Sequence, residues 1–195
     1  DFEITNNPPL DSKFTLSHVG SLLEGRNPSV LWKVLSDLIT ESKEFAATFQ
    51  LNLIGSVSTE VLETLYNYGL ENHICNLGYL PHNEVLEYQK KTQLLLLIEE
   101  DSKETQYIVP AKLFEYMASK RPIIAIGPDT SDIETILNQT NSGTYFRYDE
   151  SEVLRKRLWQ HFEAYKTQQL NVDSKGLDAY GRKSLTKQLA HALLD

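Results

Sequence analysis

Six short apolar runs recur along this chain, and a helical pattern follows nearly every one of them. That alternation restricts the fold more than any other feature of the sequence. The runs occupy residues 14–19, 48–54, 73–77, 93–98, 122–126 and 144–148. Between the first two, Asn27-Pro28 reads as an N-cap followed by proline at the first helical position. Val30, Leu31, Val34, Leu35, Leu38 and Ile39 then fall on one helical face. Ser58 can cap a helix whose apolar face includes Val61, Leu62 and Leu65, and residues 81–90 carry Val85, Leu86 and Tyr88 at helical spacing. A helix is expected over 110–119, and Ser131 with Glu134 fits a capping box for another through Leu137. Amphipathic helices are expected over 151–165 and 177–194.

Strict strand–helix alternation implies a doubly wound α/β fold: a mostly parallel six-stranded, Rossmann-like sheet with helices on both faces. The run 93–98, apolar without a break from Leu94 to Ile98, suits a central strand covered on both sides. Residues 1–13, with Asn6-Asn7-Pro8-Pro9, read as an arm or linker, and 14–195 as the domain. The chain opens on Asp1 without an initiator Met, so a fragment or processed product is expected.

Composition narrows the function. Of 195 residues, 41% are hydrophobic and 24% charged, which suits a packed core. A net charge of −8 argues against general nucleic-acid binding, while leaving room for a local basic pocket that takes a phosphate. The single Cys75 makes neither an intrachain disulfide nor a cysteine zinc site, so a reducing, cytoplasmic setting is expected. No run reaches the length of a membrane span. His18, His73, His82, His161 and His191 lack metal-ligand spacing, and no nucleophile motif is present. His18 stands apart because it sits near the end of the first strand, at the ligand edge.

Strands ending at Gly20, Gly55, Gly78 and Gly127 bring compact loops to the carboxyl edge of the sheet, where open α/β folds bind ligands. Three places there carry candidate chemistry. Lys112 and Glu115 share a face near a helix start; cation and helix end suit a diphosphate, and the carboxylate suits the vicinal hydroxyls of a ribose. The same spacing also describes a plain surface ion pair. In the loop Gly20-Ser21-Leu22-Leu23-Glu24-Gly25-Arg26-Asn27, two glycines allow close backbone approach and Arg26 can hold a phosphate bidentately, or the loop is a turn with a solvated arginine. Gly78-Tyr79-Leu80-Pro81 offers a flat wall for a base, or a strand end with a buried tyrosine. The run Arg155-Lys156-Arg157 reads as a solvated helix face.

Together, three stretches resemble the C-terminal, donor-binding domain of GT-B glycosyltransferases of the group 1 (family 4) type. They are His18-Val19-Gly20-Ser21 with Gly25-Arg26-Asn27-Pro28, then Leu77-Gly78-Tyr79-Leu80-Pro81-His82, then the run from Val109 through Lys112-Leu113-Phe114-Glu115-Tyr116 to Ala125. The resemblance implies a donor site for a nucleotide-diphosphate sugar. Arg26 and Lys112, with Gly20 and Ser21, would hold the diphosphate; Gly78, Tyr79 and Leu80 would flank the base; Glu115 would hold the ribose as the second Glu of an E-x7-E motif. The first Glu belongs eight residues earlier, where this chain has Tyr107, so Tyr107 would face the donor sugar without a carboxylate. The resemblance further implies sugar transfer in cell-surface glycan or polysaccharide synthesis, no cofactor and no bound metal, and an N-terminal acceptor domain as partner. An isolated donor half would be inactive. The alternative is a catalytically silent or regulatory sugar-nucleotide-binding module on the same scaffold.

Overall fold

The computed structural model describes residues 8–181 together with Ser184, Thr186, Lys187 and Ala190. Its centre is a six-stranded sheet: β1 (Phe14–Val19), β2 (Phe49–Ile54), β3 (Ile74–Gly78), β4 (Leu94–Ile98), β5 (Ile123–Ile126) and β6 (Gly143–Phe146). The strand order is β3-β2-β1-β4-β5-β6, and every neighbouring pair is parallel. The chain winds outward from β1 to β3, returns to β4 beside β1, and winds out the other way. Connections above β1 and β4 therefore depart in opposite directions and leave a crevice at their carboxyl ends.

Strand β4 shows why residue pattern and fold agree. All five of its residues are buried, and alternate side chains enter opposite layers. Leu94, Leu96 and Ile98 join a core with Phe14, Leu16, Leu51 and Leu53. Leu95 and Leu97 join the other core, with Leu113, Tyr116, Ile123 and Leu137. The first layer is roofed by α1 (Ser29–Glu41), α3 (Thr59–Asn67) and α7 (Ser151–Lys166), the second by α5 (Lys112–Ala118) and α6 (Asp132–Thr140). An α4 helix (His82–Lys91) connects β3 to β4.

A short helix, α2 (Lys43–Thr48), was not expected. The chain breaks from α1 at Ser42, whose side chain caps the new helix by accepting from Phe45 N at 3.1 Å. This turns Phe45 inward, where its ring stacks on Phe49 at 5.0 Å and meets Phe162 edge-on at 5.0 Å. Such pairs add about 0.5–1.5 kcal/mol each beyond burial.

Several local expectations change. Asn27 does not cap α1; the N-cap is Pro28, and the Asn27 side-chain Oδ1 instead accepts from Trp32 Nε1 at 2.7 Å. Ser131 caps α6 through Ile133 N, but the capping box stays half made, because the Glu134 carboxylate turns to Arg147 at 3.1 Å. The helix expected from 110 starts at Lys112 and spans only seven residues. Beyond the 3-10 turn Leu177–Tyr180, most of the helix expected over 177–194 lies outside the described residues, as do His191 and residues 1–7 of the arm. The described end of that arm is tied down: Asp11 N donates to Lys91 O at 2.8 Å, and Asp11 Oδ2 accepts from Thr15 at 3.0 Å.

Candidate functional site

Glycines line the carboxyl edge. Gly55 after β2 has φ +121°, and a Cβ there would lie 2.6 Å from the Gly20 carbonyl oxygen. Only glycine lets the ends of β1 and β2 approach this closely. Gly55 N in turn donates to Gly78 O at 2.7 Å, so the Gly20, Gly55 and Gly78 backbones run in one line across the strand ends. Tyr79, next in the chain, is 92% exposed, which overturns the alternative of a buried tyrosine. Leu80 is half-buried beside it.

Lys112 is where the ion-pair alternative fails. Its ammonium does not pair with Glu115 among the described salt bridges; it turns across the crevice and lies 3.8 Å from where a Gly20 Cβ would stand. Burial pushes its pKa down to about 8, Glu99 opposes that shift and Arg26 adds to it. Because α5 is so short, attraction for an anion here comes from this side-chain charge rather than from a helix dipole. Arg26 is not a freely solvated arginine either. Its guanidinium donates to Glu99 Oε2 at 3.1 Å, and it remains 34% exposed while Glu99 is 1% exposed. The two cations and one carboxylate meet over the β1–β4 crevice.

Glu99 is the residue that sequence reasoning missed, since 99–106 reads as a polar loop. A usable signal was present: an acidic residue directly ends the most apolar strand. Its backbone is pinned twice, Glu99 N donating to Ile126 O at 2.9 Å and Glu99 O accepting from Tyr148 Oη at 2.9 Å. Carboxylate oxygen Oε1 is buried and has no hydrogen-bond partner.

His18 ends up fully buried at the same edge. Its Nδ1 lies 3.1 Å from Leu96 O, a group that can only accept, so Nδ1 carries the proton. Nε2 then accepts from no donor, and the Ser21 backbone acts on the ring as Leu96 does. Burial, together with the charges on Lys112 and Arg26, lowers the His18 pKa to about 3 and keeps the ring neutral. Tyr116 locks α5 onto β1: its hydroxyl accepts from Val19 N at 2.9 Å, and burial raises its pKa.

The remaining candidates are placed differently. Glu115 sits one turn into α5, and its Oε2 accepts from Gln89 Nε2 of α4 at 3.2 Å. Gln89 is itself buried, with Oε1 unpartnered. Ser21 is exposed beside Gly20. Tyr107 is 75% exposed and carries no polar contact to the cations. Among the described residues, no group of three or more His, Cys, Asp or Glu side chains could hold a metal ion, and no helix is long and apolar enough to cross a membrane. Of the basic run on α7, Lys156 and Arg157 are exposed as expected, while Arg155 pairs with Glu41.

No protein-family model and no curated protein matches the sequence. Solved structures do match. The chain is similar to Anabaena HepE in complex with UDP, at 16% identity and a TM-score of 0.66 over 93% of this chain and 48% of that one. It is similar to S. aureus TarM in complex with UDP, at 14% identity and a TM-score of 0.62 over 87% of this chain and 32% of that one. A third likeness is to the C-terminal domain of a Francisella tularensis glycosyl transferase group 1 protein, LpcC, at 15% identity and a TM-score of 0.56 over 83% and 81% of the two chains. This chain thus spans half or less of the HepE and TarM chains. Strand order, helix placement and these likenesses agree: the chain has the Rossmann-like fold of the C-terminal domain of GT-B glycosyltransferases.

Proposed function

We propose that this chain is the donor-binding domain of a glycosyltransferase and takes a nucleotide-diphosphate sugar at its carboxyl edge. The observation that carries the reading is the convergence of partly buried Lys112 with Arg26 beside the Gly20 backbone, over the β1–β4 crevice. A partly buried ammonium held near pKa 8 is expensive to keep charged, and a diphosphate offsets that cost by charge and hydrogen bonding. The base would lie against exposed Tyr79 with Gly78 and Leu80, and Glu115 would accept the ribose hydroxyls. HepE and TarM, which share the fold, were solved with UDP.

In the transfer step, the bond between the sugar's anomeric carbon and the diphosphate oxygen breaks, and negative charge collects on the departing diphosphate. Arg26 and Lys112 would stabilise that charge at the crevice. This assigns the electrostatic work to side chains, with no bound metal. An acceptor domain outside this segment would bring the nucleophile, and the product would be a glycan of the cell surface made in the cytoplasm. A second reading, a sugar-nucleotide-binding module without transfer activity, is favoured by Tyr107, which puts an exposed phenol where the resemblance places a carboxylate.

Calorimetric titration with UDP, GDP and ADP tests the site. One nucleotide is expected to bind, about tenfold or more weaker in Lys112→Ala. No binding, or binding indifferent to Lys112→Ala, contradicts the reading. Sugar transfer by the longer protein separates the enzyme from the silent module.

A further inference from the structure

We propose that Glu99 is the specificity-determining residue for the sugar: its orphaned carboxylate oxygen accepts a hydroxyl of the group that the diphosphate carries. The proposal rests on the nucleotide-sugar reading above and adds the residue that tells sugar-bearing from bare nucleotide.

The geometry leads there in three steps. Glu99 is 1% exposed, and only Oε2 has a partner, Arg26 at 3.1 Å. Oε1 is buried without one. A buried carboxylate oxygen lacking a donor is costly, and native structures keep few of them without a reason. Second, the backbone that carries the carboxylate is held at the crevice. Hydrogen bonds from Glu99 N to Ile126 O and from Tyr148 to Glu99 O fix the backbone on both sides, and a Cβ at Gly127 would already stand 3.4 Å from the Glu99 Cβ. Third, what covers Glu99 is what a diphosphate would attract. Arg26 lies on the carboxylate from a loop that presses on the next residue, a Cβ at Gly25 lying 2.8 Å from Glu100 Oε2. Arg26 is also the more exposed partner, at 34%.

A diphosphate entering beside Lys112 therefore draws the Arg26 guanidinium from Glu99 to its own oxygens. That exchange uncovers two acceptor positions on the Glu99 carboxylate, next to the point where the diphosphate's substituent begins. A sugar hydroxyl satisfies them. His18 Nε2, another buried acceptor at this edge, likewise has no donor. The pocket thus combines two cations with acceptors that lack donors, which matches a ligand carrying both an anion and hydroxyls. Tyr107, 75% exposed, offers no buried acceptor of this kind.

The test is a cycle on the 195-residue chain. UDP, GDP, ADP and the glucose ester of each are titrated into wild type and Glu99→Gln, which keeps the shape and removes the charge. The expected result is that Glu99→Gln weakens the glucose ester by about tenfold or more relative to its bare nucleotide. Glu99→Asp guards against a misfolded first variant; it keeps the charge, retracts the oxygens, and should also lose the preference for the ester while binding the bare nucleotide. An equal change for ester and bare nucleotide overturns the proposal and leaves Glu99 as a mere holder of Arg26. So does joint loss of both ligands in both variants. Wild type that binds none of the three nucleotides removes the donor-site reading itself, and the proposal with it.

Discussion

In the amino half of the sheet, buried polar side chains form a closed relay; at the carboxyl edge they do not. Asn52 donates to Ser17, Ser17 pairs with Thr92, Thr92 donates to Thr15, and Thr15 donates to the Asp11 carboxylate, at 2.7–3.0 Å throughout. Each hydroxyl in that relay gives one proton and receives another, and the chain ends on an anion that takes the last one. Arg121, nearby, donates from Nη2 to Gln93 O and Oε1, and its buried Nε has no partner. At the other end, His18 and Glu99 each bury an acceptor with nothing to accept, and Lys112 carries its charge at a depressed pKa. The difference teaches where stability and function would be kept apart: one end is finished by its own side chains, and the other leaves buried acceptors open, as the proposed ligand site requires.

The comparison fails at once if the ends respond alike to mutation. Leu96 supports both, since its side chain is in the core and its carbonyl meets His18 Nδ1 at 3.1 Å and Tyr116 at 3.4 Å. Leu96→Ala is expected to cost about 2–5 kcal/mol in denaturant unfolding, the largest effect here. Thr92→Val cuts the relay in the middle and should cost about 1–3 kcal/mol while leaving nucleotide affinity unchanged. A fall in affinity would show that the two ends are coupled.

Lys112→Met should do the reverse. Nucleotide affinity falls about tenfold or more, yet stability at pH 7 rises by on the order of 1 kcal/mol, because the folded state no longer holds a desolvated charge. The Lys112 pKa is lowered from 10.5 to about 8, so the folded protein binds the proton less well than the unfolded chain. Wild-type stability therefore recovers relative to the variant as pH rises from about 8 toward 10.5. A parallel pair of pH profiles would place Lys112 in water instead.

His18 gives a smaller signature with its own window. Its pKa drops from 6.5 to about 3 on folding, so unfolding takes up a proton between those values. Stability contributed by the neutral ring is present above pH 6.5 and lost as pH falls toward 3. His18→Gln should remove up to one proton from that uptake, measured as the slope of unfolding free energy against pH. The smallest effect is expected at Tyr107, where replacement by alanine should change stability by less than about 0.5 kcal/mol.

Strand positions were legible because β1 and β4 are short runs buried on both faces, and capping by Ser58 was legible because its hydroxyl has one good use, the Val61 N–H at 3.3 Å. Arg26 and Lys112 could be picked out as cations near glycine-ended strands. Their partner could not, because Glu99 looks like the first of several loop acids until Ile126 and Tyr148 fix it under Arg26. Likewise Glu134 fits a capping box in sequence, but Arg147 also gathers Asp129 and Glu150, and this three-carboxylate demand wins over the local bond. Misreadings fell where a residue's best partner is distant in sequence. Local rules carry no information about such partners.

A crystal structure of the chain with the nucleotide that binds best in titration tests the central claim most directly. The account predicts the diphosphate over the β1–β4 crevice, within hydrogen-bond distance of Lys112 Nζ and of an Arg26 guanidinium that has left Glu99. A diphosphate bound elsewhere, or one at this edge with the Arg26–Glu99 pair intact and Lys112 untouched, would contradict it.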